Sequence, residues 1–186
     1  MSPRPTDQPG EATPGPVAAP PASEPDASFR FLSRWDLRSE LPAVWDALVD
    51  FERWPGWWPG LSDVQERQRG RPDGIGQKAT SRWQGPLGYS LEIAIEAVER
   101  VEPNRLKGIA SGDLRGSGSW DLTAADGWTT VCFRWDVSPT RPWMVVLVPV
   151  ARPLFVKGHD HVMEGGAEGL AGHLGCEIRG FTSESG

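Results

Sequence analysis

From Ser28 onward the chain alternates: Phe29, Phe31, Trp35 and Leu37 are spaced by polar residues, with one irregularity near Leu32, which predicts a first strand. The pattern then changes period. Leu41, Val44, Trp45, Leu48 and Val49 recur at helical spacing behind Ser39 as N-cap and Pro42 in the first turn, predicting a helix over about 40–50. The following Phe51-Glu52-Arg53-Trp54-Pro55-Gly56-Trp57-Trp58-Pro59-Gly60 sets helix breakers among three indoles, so a short turn must aim large rings at something other than water.

Between Leu61 and Val137 five or six strands are separated by turn residues, as at Arg71-Pro72-Asp73-Gly74, Gln84-Gly85-Pro86 and Ala125-Asp126-Gly127. Alternation is clearest at Tyr89, Leu91, Ile93, Ile95 and Ala97, and again at Val131, Phe133, Trp135 and Val137. An antiparallel meander with one covered face follows. The cover is a helix predicted from Pro153 to about Leu174, whose Phe155, Val162, Met163, Leu170 and Leu174 share one arc. Gly158, Gly165, Gly169 and Gly172 line up along its flank, so a backbone approaches closely there or a space is left beside it. The apolar run Arg141 to Val150 has no clear period and is open to three readings: packing beneath the domain, a lid, or an interaction surface.

Composition divides the chain into domains. Residues 1–27 hold eight of the 18 prolines and only Met1 and Val17 as larger apolar residues, which predicts a disordered Pro-rich tail. Residues 28–180 are expected to form one folded domain and 181–186 a flexible C-terminus. The net charge of -6 and the absence of a basic run argue against nucleic acid as a partner. No apolar stretch is long enough to span a bilayer, stable membrane insertion is not expected, and nothing marks the chain for secretion, so the expected location is cytoplasmic. Cys132 and Cys176 have no metal or redox spacing, and His159 and His161, about 200° apart around a helix, cannot share an ion. No cofactor or metal is expected.

Element order and local sequence together resemble the helix-grip architecture of the START/SRPBCC superfamily, the polyketide cyclase/dehydrase-like and lipid-transport domains. The residues that carry the likeness are Leu41 through Pro59, similar to that group's first helix and Trp-Pro turn; Gly116 through Leu122 and Thr129 through Val137, similar to its last two strands; and Gly158-His159-Asp160-His161-Val162-Met163-Glu164-Gly165-Gly166-Ala167-Glu168-Gly169-Leu170, similar to a signature of one bacterial branch. Gly158 stands where that signature has Asn. The resemblance covers about residues 28–176. It implies an α+β fold in which a curved antiparallel sheet of about six to seven strands wraps a long C-terminal helix, with short N-terminal helices and a hydrophobic cavity between sheet and helix.

Within that frame Trp57, Trp58, Trp83, Tyr89, Trp135, His159 and Met163 are candidates to line the cavity. The first reading is a binding protein for an apolar or aromatic small molecule, lipid- or polyketide-like. The alternative is an enzyme of the polyketide cyclase/aromatase type with His159 or Tyr89 as acid or base, although no carboxylate partner reads into the pocket. A third uses the Trp143 to Val150 segment for a partner or a homodimer. Core packing alone accounts for Trp35, Trp45, Trp120 and also Trp135, and Arg82 and Arg134 fall on the solvated face.

Overall fold

A computed structural model of the protein describes residues 28–85 and 88–186; the Pro-rich tail and the Pro86 turn position lie outside the described residues. The first strand, β1 (Phe29–Leu37), has an unbroken alternation in which Phe29, Phe31, Ser33, Trp35 and Leu37 face inward. The irregularity at Leu32 is resolved by Ser33 taking the inward slot. Helix α1 (Leu41–Val49) follows and buries Val44, Trp45, Ala47 and Leu48. Its N-cap is Glu40 rather than Ser39, because Ser39 is held one step earlier, its carbonyl accepting the Thr129 hydroxyl at 2.7 Å. A 3-10 helix over Phe51–Gly56 carries the chain through the Trp-rich turn.

Six strands then form the meander: β2 (Leu61–Gln68), β3 (Lys78–Gln84), β4 (Ser90–Val101), β5 (Arg105–Gly112), β6 (Leu114–Ala125) and β7 (Trp128–Pro139). Asp126 and Gly127, both at positive φ, make the two-residue hairpin from β6 to β7 that this dipeptide favours. Helix α2 (Pro142–Leu174) is followed by β8 (Ile178–Ser185). All neighbours are antiparallel, in the order β2-β3-β4-β5-β6-β7-β1-β8.

The expected helix-grip fold is therefore present with eight strands instead of six to seven. The eighth comes from the segment expected to be a flexible C-terminus. Ile178 and Phe181 pack against the main core, Ser183 donates to the Asp160 carboxylate, and residues 178–185 pair along β1, so they are ordered by the same burial that orders the sheet.

Helix α2 begins eleven residues before the sequence pattern suggested. Pro142 occupies the first turn, where its missing N–H is no loss, and Met144 and Val148, one turn apart, are both buried, Val148 in the cluster formed by Phe29, Phe31, Ile93, Ala110 and Val137. That burial holds the helix together across Pro149 and Pro153, both inside it. The opposite side leaves Trp143, Val146, Leu147, Val150 and Leu154 exposed. At the far end Gly175, in the left-handed region, stops the helix while the Cys176 N–H reaches back to the Ala171 carbonyl.

On the glycine flank of α2 the close approach is at Gly169, joined by the neighbouring Gly166. A Cβ at Gly166 would lie 2.3 Å from the Trp58 ring, and one at Gly169 would collide with the Trp57 carbonyl oxygen, so the Trp-rich turn docks directly on the helix backbone. Gly158 is buried and borders the cavity described next, whereas nothing stands within 4 Å of where a Cβ at Gly172 would be.

Candidate functional site

The sheet curves around α2 but does not meet it along its whole length. An elongated cavity of about 280 Å³ remains between them, walled on the sheet side by the inward residues of β1, β3, β4, β6 and β7 and on the helix side by Phe155, Gly158, His159, Val162 and Met163. Missing side chains help to open it. Gly118 faces Trp135 across the β6-β7 ladder, and a Cβ there would lie 2.6 Å from the indole, so the glycine lets Trp135 lie flat in the wall. Gly108 plays the same part beside Ile95.

Six of the seven candidate residues line this space: Trp58, Trp83, Tyr89, Trp135, His159 and Met163. Trp58 is 4% exposed, and its indole N–H donates to the Val162 carbonyl at 2.8 Å, a bond possible only because Gly166 admits the ring. Trp83 stands edge-on to Trp58 and donates to the Ser81 hydroxyl at 2.9 Å. Trp135 stacks on Phe133, which stacks on Trp120, giving β6 and β7 a continuous aromatic surface.

Trp57 is the exception. Its ring stacks on Trp58 and on His173, away from the cavity, and its backbone is pinned against Gly169. Of two adjacent tryptophans on one turn only one can face inward, and the glycine seam selects Trp58.

His159 is a polar feature on the helix side of the wall. Its ring lies against Phe31 with centroids 3.7 Å apart, and neither ring nitrogen, both shielded from solvent, has a hydrogen-bond partner among the described residues. The Asp160 carboxylate is 3.7 Å from Nδ1 but is engaged by Ser183. Burial pushes the imidazole pKa down to about 4, against the opposing pull of Asp160, so the ring is neutral at physiological pH. A neutral imidazole offers one donor and one acceptor. His161 is exposed on the other side of the helix, and Arg82 and Arg134 are exposed on the outer face of the sheet.

Tyr89 sits at the end of the cavity nearest the start of α2, its ring edge-on to Trp143 and over Gly85, where a Cβ would meet it at 2.4 Å. Burial raises its phenol pKa, which keeps it protonated. Among the wall residues not offered as cavity candidates from sequence are Phe29 and Phe31 on β1, Trp54 in the turn, and Arg100 at the opposite end. For the first two the signal was available, since Phe31 pairs with Trp135 and inherits its inward phase.

A curved sheet gripping a long helix over a mostly apolar cavity defines a helix-grip protein of the START/SRPBCC type. This chain belongs to the family described as polyketide cyclase / dehydrase and lipid transport, which it matches over residues 41–175. Its fold is similar to that of a START superfamily protein from Mycobacterium smegmatis, with a TM-score of 0.64 at 17% identity over 78% of this chain and 97% of that one. A protein from Thermus thermophilus gives 0.68 at 17% identity over 78% and 96%. The Zhui aromatase/cyclase from a Streptomyces species gives 0.65 at 14% identity over 79% and 94%. At these identities the likeness is one of fold. No curated protein matches the sequence. No helix among the described residues is long and apolar enough to cross a membrane.

Proposed function

We propose that this protein binds an apolar or aromatic small molecule, lipid- or polyketide-like, in the cavity between the sheet and α2. The supporting observation is the wall itself: aromatic and aliphatic side chains around about 280 Å³, with the unpaired, neutral imidazole of His159 set into them. Apolar wall supplies most of the binding free energy and a few polar groups fix orientation, which is the usual division of labour in a ligand pocket. The experiment is native mass spectrometry of the protein purified from its own host, followed by extraction and identification of what dissociates on denaturation. A bound apolar compound near unit stoichiometry is expected. An empty protein that also fails to take up apolar dyes overturns the reading.

One observation favours a second reading, in which the cavity is an active site of the polyketide cyclase/aromatase type. The nitrogens of His159 are free to take or give a proton, and Tyr89, held protonated, is a second donor at the cavity end. The fold likeness to an aromatase/cyclase points the same way. On an identified substrate, His159→Ala is expected to lower turnover by about 10²-fold or more. Full turnover in that variant removes His159 from the chemistry.

A further inference from the structure

As far as Ala97, β4 alternates simply. Leu91, Ile93, Ile95 and Ala97 line the cavity, while Glu92 and Glu96 pair with Arg82 and Lys78 on the outer face. The register against β5 then slips: Ala97 stands opposite Gly108, but Glu99 stands opposite Lys107. One extra residue has been inserted into β4, and beyond such a bulge every side chain changes face. Val101 is therefore exposed, as Val98 before the shift already is, and Glu99 turns outward to pair with Arg105 at 3.1 Å. Arg100 turns inward beside its register partner Leu106, and both line the cavity. Lys107, also at that wall, stands opposite Glu99 on the outward register.

The Arg100 guanidinium is housed but poorly satisfied. It lies over the Trp45 ring at 5.5 Å and beneath the turn carrying Gly74, where φ is +80° and a Cβ would come within 2.6 Å of Nη1. Its side chain is only 26% exposed, and its acidic neighbour among the described residues is Glu102, 3.9 Å away and itself 66% exposed. By contrast Lys78 and Arg105 meet carboxylates at 3.0 Å. A guanidinium presents a planar fork of donors matched to a carboxylate. Here the fork stands at the end of a largely apolar cavity and has no hydrogen-bond partner among the described residues.

We infer that this end of the cavity is an acid-binding subsite, and that the ligand is an apolar carboxylic acid whose carboxylate is received by Arg100 while its apolar part runs along the Ile93 and Ile95 wall. The inference rests on the cavity-binding reading above and adds the class of ligand. Both an aliphatic chain and an aromatic ring system could carry the acid, and the test separates them.

The full-length protein is titrated with decanoate and decanol, and with naphthoate and the corresponding naphthyl alcohol, by displacement of a neutral environment-sensitive dye. Each acid is expected to bind about tenfold more tightly than its alcohol. In Arg100→Gln the acid-to-alcohol ratio falls to about one; in Arg100→Lys, which keeps the charge without the fork, it lies between. Because each ratio is taken within one variant, a general loss of affinity does not mimic the effect, and Arg100→Lys serves if the glutamine variant does not fold. The better-bound acid of the two pairs tells whether the natural ligand is aliphatic or aromatic. Equal binding of acid and alcohol to the wild type, or a preference that survives in both variants, overturns the subsite and leaves the cavity reading standing. If the dye and all four compounds fail to bind the wild type, the cavity reading falls and the subsite with it.

Discussion

The imidazole of His159 lies flat against the ring of Phe31, with the planes 11° apart, so a residue of α2 and a residue of β1 close the space between helix and sheet with a polar ring that makes no hydrogen bond among the described residues. The arrangement suits the neutral ring and penalises the charged one. In the unfolded chain the imidazole takes its proton near its ordinary pKa, but in the folded protein only near pH 4.

The stability contributed by neutral burial is thus fully present above about pH 6.5 and declines as pH falls towards 4, because the unfolded state binds the proton first. Between pH 7 and pH 5 the loss amounts to about 2 kcal/mol. In urea denaturation, His159→Leu is expected to show a pH dependence flatter by about that amount over the same interval. Parallel curves for variant and wild type would mean that the ring is not desolvated.

The glycines of α2 divide into two kinds of site, and substitution with alanine tells them apart. Gly166→Ala drives a methyl group into the Trp58 ring and Gly169→Ala into the Trp57 carbonyl, so each is expected to cost about 2 kcal/mol or more and to change tryptophan fluorescence. Gly172→Ala meets open space and is expected to stabilise the protein by up to about 1 kcal/mol. Three equal effects in chemical denaturation would rule out the docked seam.

The apolar side chains on the outer face of the first turns of α2 contribute little to the fold. Val146 and Val150 are 75% and 79% exposed, and replacing both with lysine is expected to change stability by no more than about 0.5 kcal/mol per site. A large loss would mean that this face is covered in solution. Sedimentation of wild type against the double variant then tests for self-association.

Neither thiol is set up to react. Burial raises the pKa of both Cys132 and Cys176, so at pH 8 each carries less thiolate than a free cysteine. Labelling with a disulfide reagent is expected to be slower than for a peptide cysteine and to reach that rate in urea. Rapid labelling of the native protein would contradict the burial.

Much of the architecture was legible because its strands alternate without interruption: β4 up to Ala97 and the whole of β7 announce their inward faces. What was missed has local causes. The start of α2 was hidden by Pro142, Pro149 and Pro153, which read as breakers until Met144 and Val148 are seen buried on one side. In β8, Gly180 at positive φ and an irregular register between Arg34 and Asp36 break the period that would have marked it. Arg100 escaped notice for a related reason, since a bulge is a property of two paired strands and the alternation of one of them places Arg100 outside. Trp57 and Trp58 carry the same chemistry at adjacent positions, and only the helix backbone against which they pack distinguishes them.

The position of β1 bears on how the molecule assembles. It is the first strand of the described chain, yet it lies between β7 and β8, with Phe29 opposite Val137 and Phe31 opposite both Trp135 and Ser185. The meander from β2 to β7 can zip from neighbour to neighbour as it leaves the ribosome, whereas β1 must wait for partners at the other end of the sequence, and such distant pairings slow folding. Until they arrive, a strand bearing Phe29, Phe31 and Trp35 has its backbone hydrogen-bonding groups unpaired, so the interval before the last strand docks is when this protein is most exposed to aggregation.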